Sequence, residues 1–339
     1  MGEGIIMNSK LTYLKSKDYD SLMVAVLYGG WSDETEYTAH ENVMAALRNK
    51  NIPYIGVNIN DKDWLNIIKE NKANVVFITN QGNFGEDGTV QGALEIAGIK
   101  YVGSGVLASA ISMNKHFFKQ YLNQLKINTP KWLLNKYDEP ILQYDYIVKE
   151  IGTPFIVKPV SNGASVGVVL IANSKEYYEN IEKHKLIYKD IILEEFIGHP
   201  KKEIGVSILE NNNSLYVLPI CLIEYKYEYF SNEIKFSGDG VEESFHNIYE
   251  NDIYIRSKDI ALKIFKDLGC SGLSRIDFVL NSTGDLFVLE NNTLPGLLKN
   301  SIFPNACLAD EILYDDMIEI LVVNAFLRKD FSVDKIDRG

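Results

Sequence analysis

Between Ser274 and Asn292 the chain reads S-R-I-D-F-V-L-N-S-T-G-D-L-F-V-L-E-N-N, two alternating polar and apolar runs around Thr283-Gly284. A two-residue turn there makes a hairpin. It sets Asp277 opposite Glu290 and Arg275 opposite Asn292 on one side. Phe278 then faces Leu289, and Leu280 faces Phe287, on the other. Directly opposed side chains have Cβ atoms about 4.5–5.5 Å apart, and like charges there repel. Two carboxylates so placed call for a shared proton or a cation. With Asn292 beside them the donors are all oxygen, with no Cys or His, which suits Mg²⁺ bridging to phosphate. Arg275 is placed to hold an anion or a developing oxyanion. On these residues alone a solvated charged face fits equally well, and a single β-bulge would shift the pairing.

A second candidate is Lys158-Pro159, at the end of the apolar run Phe155-Ile156-Val157. Ser161-Asn162-Gly163-Ala164-Ser165-Val166-Gly167 follows. A lysine beside a Gly/Ser loop that includes Ser165 can cradle phosphate through one point charge and backbone N–H groups. The GK[ST] ending of a P-loop is absent, and a plain turn between antiparallel strands accounts for the same residues. Lys115 reads as a mid-helix lysine. Gly85-Glu86-Asp87-Gly88 reads as an acidic turn with Asp87 as a helix cap. His40, His116, His184, His199 and His246 show no metal-ligand spacing, although His246 stands near a loop from which it could approach substrate.

The elements that would position these groups alternate in type. Leu22–Tyr28, Tyr54–Ile59 and Asn74–Thr79 read as buried strands, with helical patterns over Ala39–Lys50 and Trp64–Lys72 between them. This alternation predicts a doubly wound parallel sheet with ligands at its strand ends, where Gly29-Gly30 and Gln81–Gly88 lie. One long helix is expected over Val106–Leu125, stopped by Asn128-Thr129-Pro130. Trp132–Leu134 starts a second unit, in which Phe155–Pro159 and Val166–Ile171 read as strands with helices before and after. Ile191–Ile197 leads into a strand-rich third unit with Glu203–Leu209, Leu215–Glu224 and the hairpin. Tyr225–Gly240 reads as a long functional loop.

The chain has 339 residues, 46% hydrophobic and 24% charged, a globular balance sufficient for two or three domains. The net charge of −12 argues against a general nucleic-acid binder but not against a small anion in a cationic cleft. Cys221, Cys270 and Cys307 are scattered, so neither a disulfide framework nor a zinc knuckle is expected, and a cytoplasmic setting fits. No secretory signal, myristoylation signal or membrane span is expected.

The order of these stretches resembles the D-alanine–D-alanine ligases of the ATP-grasp superfamily. The matching runs are Leu27-Tyr28-Gly29-Gly30-Trp31-Ser32-Asp33-Glu34, Gly82-Asn83-Phe84-Gly85-Glu86-Asp87-Gly88-Thr89-Val90-Gln91-Gly92, Tyr101-Val102-Gly103-Ser104-Gly105 and Ser112-Met113-Asn114-Lys115. They continue with Val157-Lys158-Pro159, Ser165-Val166-Gly167, Gly272-Leu273-Ser274-Arg275-Ile276-Asp277 and Leu289-Glu290-Asn291-Asn292-Thr293-Leu294-Pro295-Gly296. The resemblance implies an α/β chain, α+β in its C-terminal part, with the ATP-grasp fold. A parallel-sheet domain over 1–104 would precede two nucleotide-gripping domains over 105–193 and 194–339. It implies that Lys115 and Lys158 contact the phosphates of ATP, Glu194 and Phe196 the adenine, and Glu203 the ribose. Asp277, Glu290 and Asn292 would hold two Mg²⁺, with Mn²⁺ as an alternative. Phosphoryl transfer to the first amino acid would make an acyl phosphate for the second amine to attack. Arg275 and the Gly296 N–H would steady the tetrahedral intermediate, Glu34 the first ammonium, and Ser301 the second carboxylate, with Tyr229 in the loop above. The family is commonly dimeric, so a homodimer is the implied assembly, with small-molecule amino acids or amines as substrates.

Several positions depart from the family pattern. Ala164 replaces a serine, Gln81 a histidine, Glu228 a lysine beside Tyr229, Asn114 an aspartate and Glu195 a lysine. Leu297-Leu298-Lys299 replaces a small polar run. A lost neutral hydrogen bond at Ala164 is worth about 0.5–1.5 kcal/mol, enough to tune a site. Glu228 raises a second expectation, the same chemistry on a different pair that includes a basic amino acid or amine. A catalytically inactive nucleotide-binding protein is a third.

Overall fold

The structure is a computed structural model that describes residues 21–30, 39–163, 166–198, 202–212, 214–226 and 240–328. Glu34, Ser165 and Tyr229 lie outside the described residues, as do Ala164, His199, Glu228 and most of the expected loop Tyr225–Gly240.

The expected parallel sheet is present. Strands β1 (Val24–Tyr28), β2 (Tyr54–Asn58), β3 (Val75–Ile78) and β4 (Lys100–Tyr101) run in the order β2-β1-β3-β4. Helices α1 (His40–Asn49), α2 (Trp64–Glu70) and α3 (Thr89–Ile96) connect them. The unbroken apolar runs have a simple cause: both faces of the sheet are buried. Val24, Val26, Val75 and Phe77 enter one core, while Ala25, Leu27, Val76 and Ile78 enter another.

The expected helix over Val106–Leu125 is two helices, α4 (Val106–Met113) and α5 (Lys115–Gln124). Asn114 divides them. Its backbone is extended, and its side chain caps α5 by accepting from Phe117 N at 3.1 Å. Lys115 is therefore the first residue of a helix rather than a mid-helix lysine.

A second, antiparallel sheet has the order β5-β8-β6-β7, from β5 (Trp132–Asn135), β6 (Phe155–Pro159), β7 (Val169–Ile171) and β8 (Ile191–Glu195). Helices α6 (Tyr144–Ile151) and α7 (Ser174–Tyr188) cover one face, over Phe155, Val157, Ile171 and Leu193. The opposite face carries Lys158 and Glu194. The segment read as leading into the third unit is thus β8 of the second sheet.

The third sheet is built from β9 (Lys202–Asn211), β10 (Ser214–Val217), β11 (Ile220–Tyr225), β12 (Val241–His246), β13 (Leu273–Leu280) and β14 (Leu286–Asn292). Its order is β12-β11-β9-β13-β14, with β10 paired to β9. The stretch Leu215–Glu224, read as one strand, breaks between β10 and β11 at Leu218-Pro219. Helix α8 (Asp252–Leu268) packs on the inner face together with α4 and α5. Ala108, Phe118 and Leu122 share that core with Ile204, Val206, Ile276 and Phe278. Helices α9 (Ile302–Ala309) and α10 (Tyr314–Leu327) return the chain to the first sheet, where Ile318 and Leu321 join the core of Val24 and Val26. No described helix is long and apolar enough to cross a membrane.

Candidate active site

The hairpin pairs as expected at its polar end and not at its apolar end. Arg275 stands opposite Asn292 and Asp277 opposite Glu290, but Phe278 pairs with Val288 and Leu280 with Leu286. A bulge between Asp277 and Phe278 causes the shift. The turn is also longer than two residues: Asn281 N donates to Asp285 O, and Gly284 N to Asn281 O. The bulge lets two successive residues of β14, Leu289 and Glu290, face the same cleft as Asp277 and Val279.

That cleft has about 850 Å³ of open space and lies between the second and third sheets. Lys115, Lys158, Glu194, Phe196, Glu203, Asp277 and Glu290 all line it, drawn from four separate segments of the sequence. Ile156, Val168, Ile197 and Leu289 supply apolar walls suited to a planar base. Lys115 reaches the cleft because its backbone N donates to Val160 O at 2.9 Å, and its ammonium is bonded to Asn162 O. An adjoining recess joins Lys115, Glu290 and Asn292 to Glu86.

The Arg275 guanidinium grips Asp277 in a two-toothed pair, Nε to Oδ1 at 2.7 Å and Nη2 to Oδ2 at 2.8 Å. Asn292 Nδ2 donates to the same Oδ2 at 2.9 Å. Burial alone would lower the arginine's affinity for its proton, but Asp277 and Glu290 more than offset it and hold the side chain charged. Beneath the pair is Gly205 on β9. A Cβ there would lie 3.5 Å from Arg275 Cδ and 3.7 Å from Asp277 Oδ1. This glycine, in mid-strand, is the flat floor on which the pair rests, and it carries the usual signal of a close approach.

Glu194 is almost wholly buried and meets two lysines. Oε1 lies 2.6 Å from Lys158 Nζ, and Oε2 lies 2.6 Å from Lys119 Nζ. Burial raises its pKa, but the two ammonium groups outweigh that and the net direction is down. Lys119 escaped the sequence reading. Its signal was its place one helical turn after Lys115 on α5.

Gly296 and Ser301 lie side by side. A Cβ on Gly296 would stand 3.1 Å from Ser301 Oγ, and Ser301 begins α9 without a side-chain cap bond. Neither residue lines the cleft itself. Asp87 does not occupy the cap position of α3, which is Gly88 at φ +90°. Its carboxylate instead accepts from Phe84 N and Thr89 N at 2.9 Å each, cinching the loop. His246 is bonded to Ser244 Oγ and stacks on Tyr254, and His116 accepts from Trp132 Nε1 at 3.0 Å.

A parallel sheet followed by two antiparallel sheets that face each other across a cleft of lysines and carboxylates defines an ATP-grasp protein. The comparisons with known proteins agree. The D-ala D-ala ligase C-terminus model matches residues 122–323, and the D-ala D-ala ligase N-terminus model matches residues 60–104. D-alanine–D-alanine ligase B of Chromobacterium violaceum is 35% identical over 297 residues, covering 87% of this chain and 94% of its own. The D-alanine–D-alanine ligase of Pelotomaculum thermopropionicum is 34% identical over 317 residues, covering 89% and 96%. Among solved structures, the D-alanine–D-alanine ligase of Bacillus anthracis complexed with ATP superposes with a TM-score of 0.76 at 28% identity. That match covers 90% of this chain and 97% of that one. The chain belongs to the D-alanine–D-alanine ligase family.

Proposed function

We infer that the protein is an ATP-dependent ligase that joins two D-alanines through an acyl phosphate. The observation that carries this is one cleft lined by two lysines, Lys115 and Lys158, and by the acidic pair Asp277 and Glu290, with Arg275 clamped to Asp277. The apolar walls beside Phe196 suit adenine, with Glu194 at its rim and Glu203 at the ribose.

Asp277, Glu290 and Asn292 are the residues to hold Mg²⁺, two ions by analogy, or Mn²⁺. Two carboxylates and an amide, all offering oxygen, fit a hard ion that keeps waters and phosphate oxygens as its other ligands. Such an ion supplies positive charge to the phosphate oxygens. Lys115 and Lys158 orient the triphosphate, so that the γ-phosphoryl group passes to the carboxylate of the first D-alanine and ADP departs. The amine of the second D-alanine attacks the acyl carbon, the C–O bond to phosphate breaks, and inorganic phosphate leaves. Arg275, fixed by Asp277, gives its remaining N–H groups to the oxyanion, with the Gly296 N–H as partner. The family resemblance assigns Ser301 to the second carboxylate, and Glu34 to the first ammonium with Tyr229 beside the site, the last two lying outside the described residues. The same resemblance assigns Ser165, also outside the described residues, to the phosphates.

The division into three units, 1–104, 105–193 and 194–339, a homodimeric assembly and a cytoplasmic setting belong to the same reading. The chain order of the three sheets supports the first. The altered-acceptor alternative rests on Ala164 and Glu228, and the names of the relatives favour two D-alanines instead. The joint presence of Arg275, Asp277, Glu290 and Asn292 favours an active enzyme over an inactive nucleotide binder.

The test is ATP with D-alanine alone. ADP and phosphate are expected in equal amounts, with a product of dipeptide mass. Turnover only with a basic amine, or none with any amino acid, overturns the reading.

A further inference from the structure

The nucleotide cleft contains a charge arrangement that none of the family roles above explains. Glu194 faces the cleft, yet both its oxygens are taken by ammonium groups. The two lysines are not equivalent. Lys158 lines the cleft and approaches Oε1 from the side on which a phosphate would arrive. Lys119 is 0% exposed and does not line the cleft. Its ammonium donates to Thr129 Oγ1 at 2.7 Å and Pro130 O at 3.1 Å, in addition to its ion pair with Glu194 Oε2. Trp132 closes the site, its ring centroid 5.5 Å from the same Nζ. A lysine that is fully buried and does not line the cleft cannot reach a ligand there.

Taking a lysine out of water is costly, and the cost is met here by one carboxylate. That carboxylate must also release Lys158 when a triphosphate competes for it. With Lys158 as its only partner, Glu194 would be left as an unpaired buried anion at that moment, and the lysine would stay where it is. A second ammonium, held outside the cleft while protonated, removes the conflict.

We propose that Lys119 is a positioning residue of the nucleotide site, a dry counter-charge that keeps Glu194 neutralised so that Lys158 is free to move to a nucleotide phosphate. This rests on the reading of the cleft as an ATP site and names a residue that controls it. Lys119 acts only through Glu194, so its effect depends on the carboxylate. It acts on the phosphates and not on the base, so adenosine is indifferent to it.

The test uses the full chain with Mg²⁺, titrated with β,γ-imido-ATP and separately with adenosine. The proteins are wild type, K119M, E194Q and K119M/E194Q, each checked by thermal melting. If only about a tenth of K119M molecules have Lys158 released, affinity for the triphosphate falls about tenfold. Adenosine affinity stays within about twofold in K119M, because a ligand without phosphates has no use for the released state. In the E194Q background the same K119M change makes little further difference to the triphosphate. An equal loss for adenosine, or an unchanged triphosphate affinity in K119M, overturns the proposal. Should K119M alone fail to fold, E194Q and K119M/E194Q decide the matter, since neither leaves a buried carboxylate without a counter-charge. Equal triphosphate affinity in those two supports it, and a further tenfold loss in the double variant, on the order of the same tax, overturns it. Wild type that binds neither probe would remove the ATP reading itself, whereas wild type that binds both without coupling between Lys119 and Glu194 removes only this inference.

Discussion

Replacing Gly205 first with alanine and then with valine probes the floor beneath the Arg275–Asp277 pair. An alanine methyl would lie 3.5 Å from Arg275 Cδ, 3.6 Å from Cys221 Cβ and 3.7 Å from Asp277 Oδ1, all ordinary contacts. Gly205 does not adopt a positive φ, so alanine carries no backbone strain. G205A therefore stabilises the fold by about 0.4–1 kcal/mol, through the unfolded chain it restricts. Turnover stays within about twofold, because nothing must move. Valine fills two of the three staggered directions beyond Cβ, each about 1.5 Å further out. Its neighbours stand on β11 and β13, the strands on either side of β9. A γ-carbon directed at Arg275 or Asp277 closes to within roughly 2–2.5 Å, so the pair must shift. Overpacking of this kind costs about 1–3 kcal/mol. A shift of about 1 Å in a group that positions a reaction costs on the order of a hundredfold in rate. The assay is ADP release with D-alanine alongside a thermal melt. The expected pattern is G205A slightly more stable and active, and G205V folded but about a hundredfold slower. G205V turning over like wild type would show that the pair does not depend on this floor. G205A losing as much as G205V would show that the distances were misjudged.

Two further outcomes follow from the same geometry. N114A removes the cap of α5, which costs about 0.5–2 kcal/mol, and loosens Lys115 at the first helical position; a lowered melting temperature with a raised KM for ATP is the expected reading. Burial pushes the Lys119 ammonium down to about 8, with Glu194 opposing the shift and Lys158 adding to it. The protonated form is the one that neutralises Glu194, so triphosphate affinity is full below about pH 8 and falls as pH rises through it. Calorimetric titrations across that range should show the fall in wild type and its absence in K119M.

The N-terminal sheet was readable because parallel strands buried on both faces leave continuous apolar runs, as in Val24–Leu27 and Val75–Ile78. The polar end of the hairpin was readable too, since alternation fixes which side chains share a face: Arg275, Asp277, Glu290 and Asn292 do meet. Its apolar end was misread because alternation cannot reveal a bulge. Leu289-Glu290 looks like one inward and one outward residue, yet both face the cleft. The helix break at Asn114 was written in the sequence as a capping residue, but the continuous apolar pattern around it concealed the boundary. Asp87 looked like a cap and is instead a clasp for the loop before α3.

The types and order of the chemical groups are properties of the chain: two lysines for phosphate, oxygen donors in place of sulfur or imidazole, and an arginine two residues from an aspartate. Charge balance is different, because it depends on distance through space. Lys119 and Glu194 are separated by most of the second sheet along the sequence and by 2.6 Å in the fold. Only tertiary structure brings them together out of water, where a single ammonium decides what its neighbours are free to do.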